Sequence, residues 1–327
     1  MKSQNIKGWL DPLSLTGNKE LPNRTVPSPM DGVMSPVFCR AMNELRLIDC
    51  WITPFIRISN SIPGLLRLSR RIEPFMQSGL PVIVQLLGNS PELLSEAAKR
   101  LETLGIDGIN LNFACPSNTV VRNGGGGSLL KSPELMTRIL AAIQKECPNL
   151  SLSVKLRTGF SSPDELAEII KAVRKARLDF IILHFRTVAE AYLKVENAYE
   201  RLGEAVDCAG EVPLIGSGDV FARADAEQMF EASGCAGIAV ARGLLRNPFL
   251  IRDIQNMIVG SESALPENEQ FIFFNKMLDF ANENPKLYWR RSFFMEIASH
   301  LWGSGHHFFE ELKNMSDKDM LGRKNSF

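Results

Sequence analysis

From Arg24 to Ile254, short unbroken apolar runs alternate with longer stretches whose apolar residues recur at helical spacing. The runs are Thr25–Met30, Cys50–Phe55, Pro81–Gly88, Gly108–Phe113, Leu152–Thr158, Phe180–Thr187, Val212–Gly218 and Gly237–Gly243. Rich in Ile and Val and apolar on both faces, they predict parallel strands buried on both sides. Three intervening helices start alike, at Ser90-Pro91-Glu92, Ser132-Pro133-Glu134 and Ser162-Pro163-Asp164. Ser offers an acceptor to the free amides, Pro at the first helical position needs no donor, and the acid suits the positive end of the dipole. Eight strand candidates, most followed by a helix, predict an α/β fold, a (β/α)8 TIM barrel over residues 24–258. A doubly wound open sheet is the competitor. The polar residues at nearly every strand's C-terminal end favour the barrel.

Two regions lie outside this pattern. Residues 1–23 are polar and turn-rich, an N-terminal extension expected to be either a strap across the barrel or a disordered lead-in. Beyond Ser261 the alternation is lost, and Glu267–Asn282, Lys286–Trp302 and His306–Asn314 predict helices carrying many aromatics. A small all-helical domain is expected over residues 262–327, with a fraying end near Gly322 to Phe327.

Composition narrows the class. With 327 residues, of which 45% are apolar, the chain has ample material for a core and is neither disordered nor collagen-like. No apolar run is long enough to span a membrane and no signal pattern opens the chain, so a cytoplasmic protein without membrane contact is expected. Lys and Arg together number 37, matched by 37 Asp and Glu, so a polyanionic partner has to be held by local groups. The six cysteines are scattered without a CxxC pair, which argues against a zinc site or a disulfide framework. Most read as small core residues. Cys115 differs by its neighbours.

Barrel enzymes build their active sites at the C-terminal ends of the strands. Those ends hold Pro29, Met30 and Asp31; Gln85; Asn112 and Cys115; Lys155 and Arg157; His184 and Arg186; Ser217, Gly218 and Asp219; and Ala241, Arg242 and Gly243. No close carboxylate pair supports glycosidase chemistry, and no nucleophile elbow supports a Ser-His-Asp triad. Only His184 lies in the barrel, too few ligands for a metal. Gly216-x-Gly218 and Arg242-Gly243 follow strands seven and eight, where barrels commonly bind phosphate; two ordinary turns are the alternative. Lys155 ends a buried strand and needs an anionic or electron-rich partner, or an internal salt bridge. His184 alone reads as a structural histidine. Gln85 suits the edge of a flat heterocycle or merely caps its strand. Cys115 reads as a nucleophile, a proton donor, or a buried thiol beside the flexible Gly124–Gly127 stretch.

Taken together these residues resemble the tRNA-dihydrouridine synthases. The marks are Pro29-Met30-Asp31-Gly32-Val33, Gln85-Leu86-Leu87-Gly88, Asn112-x-x-Cys115-Pro116-Ser117, Gly125-Gly126-Gly127-Ser128-Leu129-Leu130, Val154-Lys155-x-Arg157-x-Gly159, His184-x-Arg186-Thr187, Gly218-Asp219 and Arg242-Gly243, in family order from Pro29 to Pro248. The glutamine block and the glycine-rich loop are most similar to the C-type bacterial subfamily. The resemblance implies an FMN-binding barrel with a helical tRNA-binding domain, acting as a monomer without metal. It implies that Pro29, Met30, Asp31 and Gln85 meet the flavin, Lys155 and His184 its electron-rich side, and Gly218, Arg242 and Gly243 its phosphate, with Ser217, Asp219 and Ala241 also binding the cofactor. Asn112 would face the uracil, with Arg157 and Arg186 placing the RNA. The implied reaction takes electrons from NADPH (or NADH), delivers hydride to C6 of a flipped-out uridine and protonates C5 from the Cys115 thiol.

The sequence departs from the family pattern at several places. Ala114 stands for the usual Gly, Asn118 for Lys or Arg, Pro54 for Glu, Ser217 for Asn and Ala241 for Gly. Ser217 still donates a hydrogen bond, whereas Asn118 removes a cation. These departures define the alternatives: a flavin oxidoreductase acting on another pyrimidine or a ribosomal uridine, or a non-catalytic RNA-binding relative. With no basic excess in the tail, a stripe through Arg290 and Arg291 is the expected RNA grip.

Overall fold

The computed structural model describes residues 5–261 and 268–322. Each of the eight apolar runs contains one strand: β1 (Thr25–Pro27), β2 (Trp51–Ile52), β3 (Val82–Leu87), β4 (Gly108–Asn112), β5 (Ser151–Arg157), β6 (Phe180–His184), β7 (Leu214–Ser217) and β8 (Gly237–Val240). Consecutive strands from β2 to β8 pair in parallel, and β8 pairs in parallel with β1. Strands β1 and β2 lie in contact without sharing a ladder, so the barrel is nearly closed. The strands end before the runs do, because the polar residues that follow turn outward into the loops that build the site.

Two of the three expected helix starts form as the sequence dictates. Ser90 accepts from the amide of Leu93 and opens the helix Pro91–Glu102. Ser162 forms a capping box with Glu165 ahead of the helix Leu166–Val173. Ser132 differs: its side chain makes no cap bond, and its own amide donates to the carbonyl of Leu129 at 2.8 Å.

The N-terminal segment is a plug rather than a loose lead-in. Leu13–Leu15 and Lys19–Leu21 form an antiparallel hairpin, turned by Gly17 and Asn18 at φ +85° and +58°. Leu13, Leu15 and Leu21 are buried with Val26, Ile52, Ile83, Phe180, Ile182, Ile215 and Ala239, one apolar residue set drawn from six barrel strands. The hairpin sits at the N-terminal end of the barrel. There Thr16 donates twice to Asp179, the residue before β6, and Lys19 pairs with Asp107, the residue before β4.

Beyond the barrel, the main helices are Glu269–Glu283, Arg291–Trp302 and His307–Asn314. Phe273, Phe274, Phe294 and Phe308 are fully buried there, in a core continuous with the helix layer of the barrel. Phe38, on the barrel helix Pro36–Glu44, meets Phe273 edge to face at 5.2 Å. The start of the expected helical domain, residues 262–267, and most of its expected fraying end, residues 323–327, lie outside the described residues.

Candidate active site

A cleft of about 390 Å³ opens at the C-terminal ends of the strands. It gathers Pro29, Met30 and Asp31 after β1, Asn112 at the end of β4 and Cys115 after it, Lys155 and Arg157 on β5, His184 on β6, Ser217 on β7, and Ala241 and Arg242 after β8. An adjoining recess of about 30 Å³ adds Gly218, Asp219 and Gly243. Gln85 and Arg186 line neither.

Lys155 reaches the cleft with no hydrogen bond or ion pair to its ammonium among the described residues. Burial, reinforced by the charge of Arg157, lowers its pKa to about 8. His184 Nδ1 accepts the amide of Arg186 at 3.2 Å, which leaves the proton of a neutral ring on Nε2. Burial, then the cations Arg157, Lys155, Arg186 and Arg242, push its pKa well below the usual histidine value, so the ring stays neutral. Two donors from adjacent strands therefore face one cavity with no acceptor of their own.

The half-buried Cys115 is held by its backbone. Asn112 Oδ1 accepts the amides of Ala114 and Cys115 at 3.0 and 2.9 Å, and the carbonyl of Cys115 accepts the amide of Gly127 at 3.0 Å. Gln85, fully buried, orients Asn112: its Oε1 accepts from Asn112 Nδ2 at 2.8 Å, and its Nε2 donates to Asn110 at 2.7 Å. It lies one layer below the cleft.

The arginines divide by surroundings. Arg157 is 4% exposed and bonds the carbonyls of Ala114, Thr187 and Ala191. Arg186 is 3% exposed and forks onto the Asp219 carboxylate, donating from Nε to the carbonyl of Leu193. Asp219 also accepts from Arg242 at 2.6 Å. Burial would raise the Asp219 carboxyl, but its bonds and charge attraction to Arg186 and Arg242 bring it below the usual range. Gly218 sits at φ +127°, and a Cβ there would lie 2.4 Å from a ring carbon of Phe185. Only glycine fits this close approach.

Phe55, Tyr192 and Leu245 also line the cleft, unanticipated by the strand-end reading. Tyr192 and Leu193 are each 67% exposed on the loop after β6. The signal for them exists in the sequence, since two large apolar residues interrupt the polar stretch between Ala189 and Asn197. All six cysteines are free thiols. Among the described residues no three His, Cys, Asp or Glu side chains gather to hold a metal, and no helix is long and apolar enough to cross a membrane.

Residues 26–314 match the dihydrouridine synthase family model. The chain belongs to the dihydrouridine synthase family. It is accordingly an FMN-using oxidoreductase that forms dihydrouridine. It is 34% identical over 239 residues to the tRNA-dihydrouridine(16) synthase of Escherichia coli (strain K12), covering 71% of this chain and 75% of that one. To the tRNA-dihydrouridine(16) synthase of Vibrio vulnificus (strain CMCP6) it is 31% identical over 254 residues, covering 75% and 78%. The expected likeness to the C-type bacterial subfamily holds. Among solved structures, histamine dehydrogenase from Rhizobium sp. 4-9 superposes with a TM-score of 0.58 at 16% identity over 78% of this chain and 49% of that one. TcOYE with pHBA gives 0.55 at 13% identity over 83% and 97%. These neighbours share the barrel fold.

Proposed function

We propose that the cleft reduces the C5–C6 double bond of a uridine in tRNA, at position 16 as in the relatives' names, with NADPH or NADH as reductant. One observation carries this reading: the half-buried thiol of Cys115 shares a cleft with the unpartnered ammonium of Lys155.

The donor set fits FMN. Lys155 Nζ and His184 Nε2 offer two hydrogen bonds to the electron-rich side of the ring system, against a wall formed by Pro29, Met30 and Asp31. Ser217, Gly218, Asp219, Ala241, Arg242 and Gly243 suit the phosphate, through backbone amides at two turns and one guanidinium. When bound, FMN supplies the hydride that saturates C6.

The chain's own residues do the rest. Cys115 delivers the proton to C5, and the nearby Lys155 ammonium stabilises the thiolate that remains until solvent reprotonates it. Asn112 fixes the Cys115 backbone, and Gln85 acts through Asn112. Arg157 holds the segment ahead of the thiol, and Arg186 acts through Asp219 on the phosphate turn. In this scheme residues 24–258 hold FMN, residues 262–327 contact tRNA and, within residues 1–23, the Leu13–Leu21 hairpin closes the barrel base.

The test is nucleoside mass spectrometry of tRNA from a deletion strain. Dihydrouridine at one site is lost, returns with the wild-type gene and does not return with Cys115→Ala. Unchanged tRNA in the deletion strain refutes the reading, and purified protein that binds no flavin favours the non-catalytic alternative.

A further inference from the structure

The expected grip through Arg290 and Arg291 does not form as a pair. Arg291 is committed internally, to Asp317 at 2.9 Å and to the carbonyls of Leu312 and Lys313. Arg290 is left exposed by itself. The concentration of unneutralised charge lies elsewhere. Between Cys50 and Ile72 the chain carries Arg57, Arg67, Arg70 and Arg71 and no acidic residue; Glu73, the acid that follows, accepts from Gln77 at 3.2 Å.

Three of these four lie on the helix Leu65–Met76, whose Leu68, Ile72 and Phe75 are buried against the barrel. Arg67, Arg70 and Arg71 occur at i, i+3 and i+4, which places them together on its exposed side. Like charges so spaced repel, and a helix tolerates that best where a partner anion neutralises them. Among the described residues, the side chains of Arg57, Arg67 and Arg70 make no hydrogen bond or ion pair. The helix starts at Gly64 without a side-chain cap and with no acid in its first turn, so its positive end adds to the same field.

This face adjoins the active-site cleft. Arg71 donates to the carbonyl of Phe55, a cleft residue, at 2.9 Å. Arg71 also lines a neighbouring hollow of about 210 Å³ together with Asp31, which the two cavities share. In the first turn of the same helix Leu65 and Leu66 are 47% and 66% exposed.

We infer that the Leu65–Met76 helix is a phosphate-gripping face for the tRNA strand flanking the target uridine, with Arg67 and Arg70 as its principal contacts. The inference rests on the proposed tRNA substrate and adds where the substrate's backbone is held. Splayed bases of a single-stranded loop offer flat faces for Leu65 and Leu66 between the phosphates that the arginines neutralise. An anionic membrane would meet the same cations. Only those two leucines remain free to insert, however, because the apolar stripe of this helix faces the barrel.

The test compares wild-type holoenzyme with Arg67→Gln/Arg70→Gln and Arg67→Lys/Arg70→Lys. Fluorescence anisotropy reads binding of an unmodified tRNA transcript across a salt series. The glutamine variant weakens affinity on the order of tenfold at low salt, and its log–log salt slope becomes shallower by roughly one to two. Its FMN content matches wild type, and the lysine variant recovers most of the affinity. Unchanged affinity and slope in the glutamine variant overturn the inference. So does arginine-dependent binding to phosphatidylglycerol vesicles with unaltered tRNA affinity, which assigns the face to a membrane. Failure of the functional reading is distinct, because wild type itself would then form no dihydrouridine.

Discussion

Arg157 donates from Nε to the carbonyl of Ala114 at 2.9 Å, immediately ahead of the thiol-bearing Cys115. Its Nη1 reaches the carbonyls of Thr187 and Ala191 at 2.8 and 3.2 Å. One guanidinium thus fixes the thiol segment against the loop that carries Tyr192. Arg157→Lys keeps the charge but loses the fork. It lowers kcat for dihydrouridine formation by roughly 100-fold, the scale of an ångström-sized misplacement, while FMN content stays at wild-type level. An unaltered kcat would remove Arg157 from the positioning of the thiol.

Burial and the charge of Arg157 lower the Lys155 pKa to about 8 in the free protein, and an electron-rich acceptor hydrogen-bonded to its ammonium favours the charged form. Above neutrality, FMN affinity of the apoprotein therefore falls as pH rises through about 8. The stability of the apoprotein moves the opposite way. An unfolded lysine keeps its proton up to its ordinary, higher pKa, so stability rises with pH between the two values. Flavin-fluorescence quenching on both sides of that pH checks the first effect and Lys155→Met flattens it. A flat wild-type profile counts against Lys155 as a donor to the flavin ring.

Gly218→Ala places a Cβ 2.4 Å from the Phe185 ring at a backbone angle of +127°. The expected cost is about 3 kcal/mol from overpacking and backbone strain combined. Urea denaturation measures it, and the flavin-to-protein ratio drops in parallel if the displaced turn holds the phosphate as proposed.

Leu21 is fully buried in the hairpin beneath the barrel. Leu21→Ala destabilises by about 2–5 kcal/mol and leaves kcat at a permissive temperature untouched, since the cleft opens at the opposite end. A loss of kcat without a loss of stability would assign the hairpin a catalytic part.

The barrel was legible because each strand is apolar on both faces, a pattern that survives without knowledge of neighbours. The cleft residues at strand ends were legible for the same reason: once the strands are placed, topology puts their C-terminal ends together. Depth was not legible. Gln85 lies inside β3 and Asn112 ends β4, and Gln85 is wholly enclosed and touches Asn112 rather than the cavity. The engagement of Arg186 by Asp219, and of Arg291 by Asp317, depends on partners 33 and 26 residues away. The hairpin did carry a local signal, the leucines of Leu13-x-Leu15 followed by Gly17-Asn18. Its three-residue arms give little periodicity by which to recognise them.

The plug also orders events during synthesis. Its leucines leave the ribosome before the barrel strands, but their burial needs Phe180, Ile182, Ile215 and Ala239, so the hairpin has no complete seat until β8 has emerged. Contacts spanning so much chain form late and slowly. Until β8 emerges the nascent chain therefore carries an unsatisfied apolar arm, a natural handle for chaperones, and its burial marks the closure of the barrel floor.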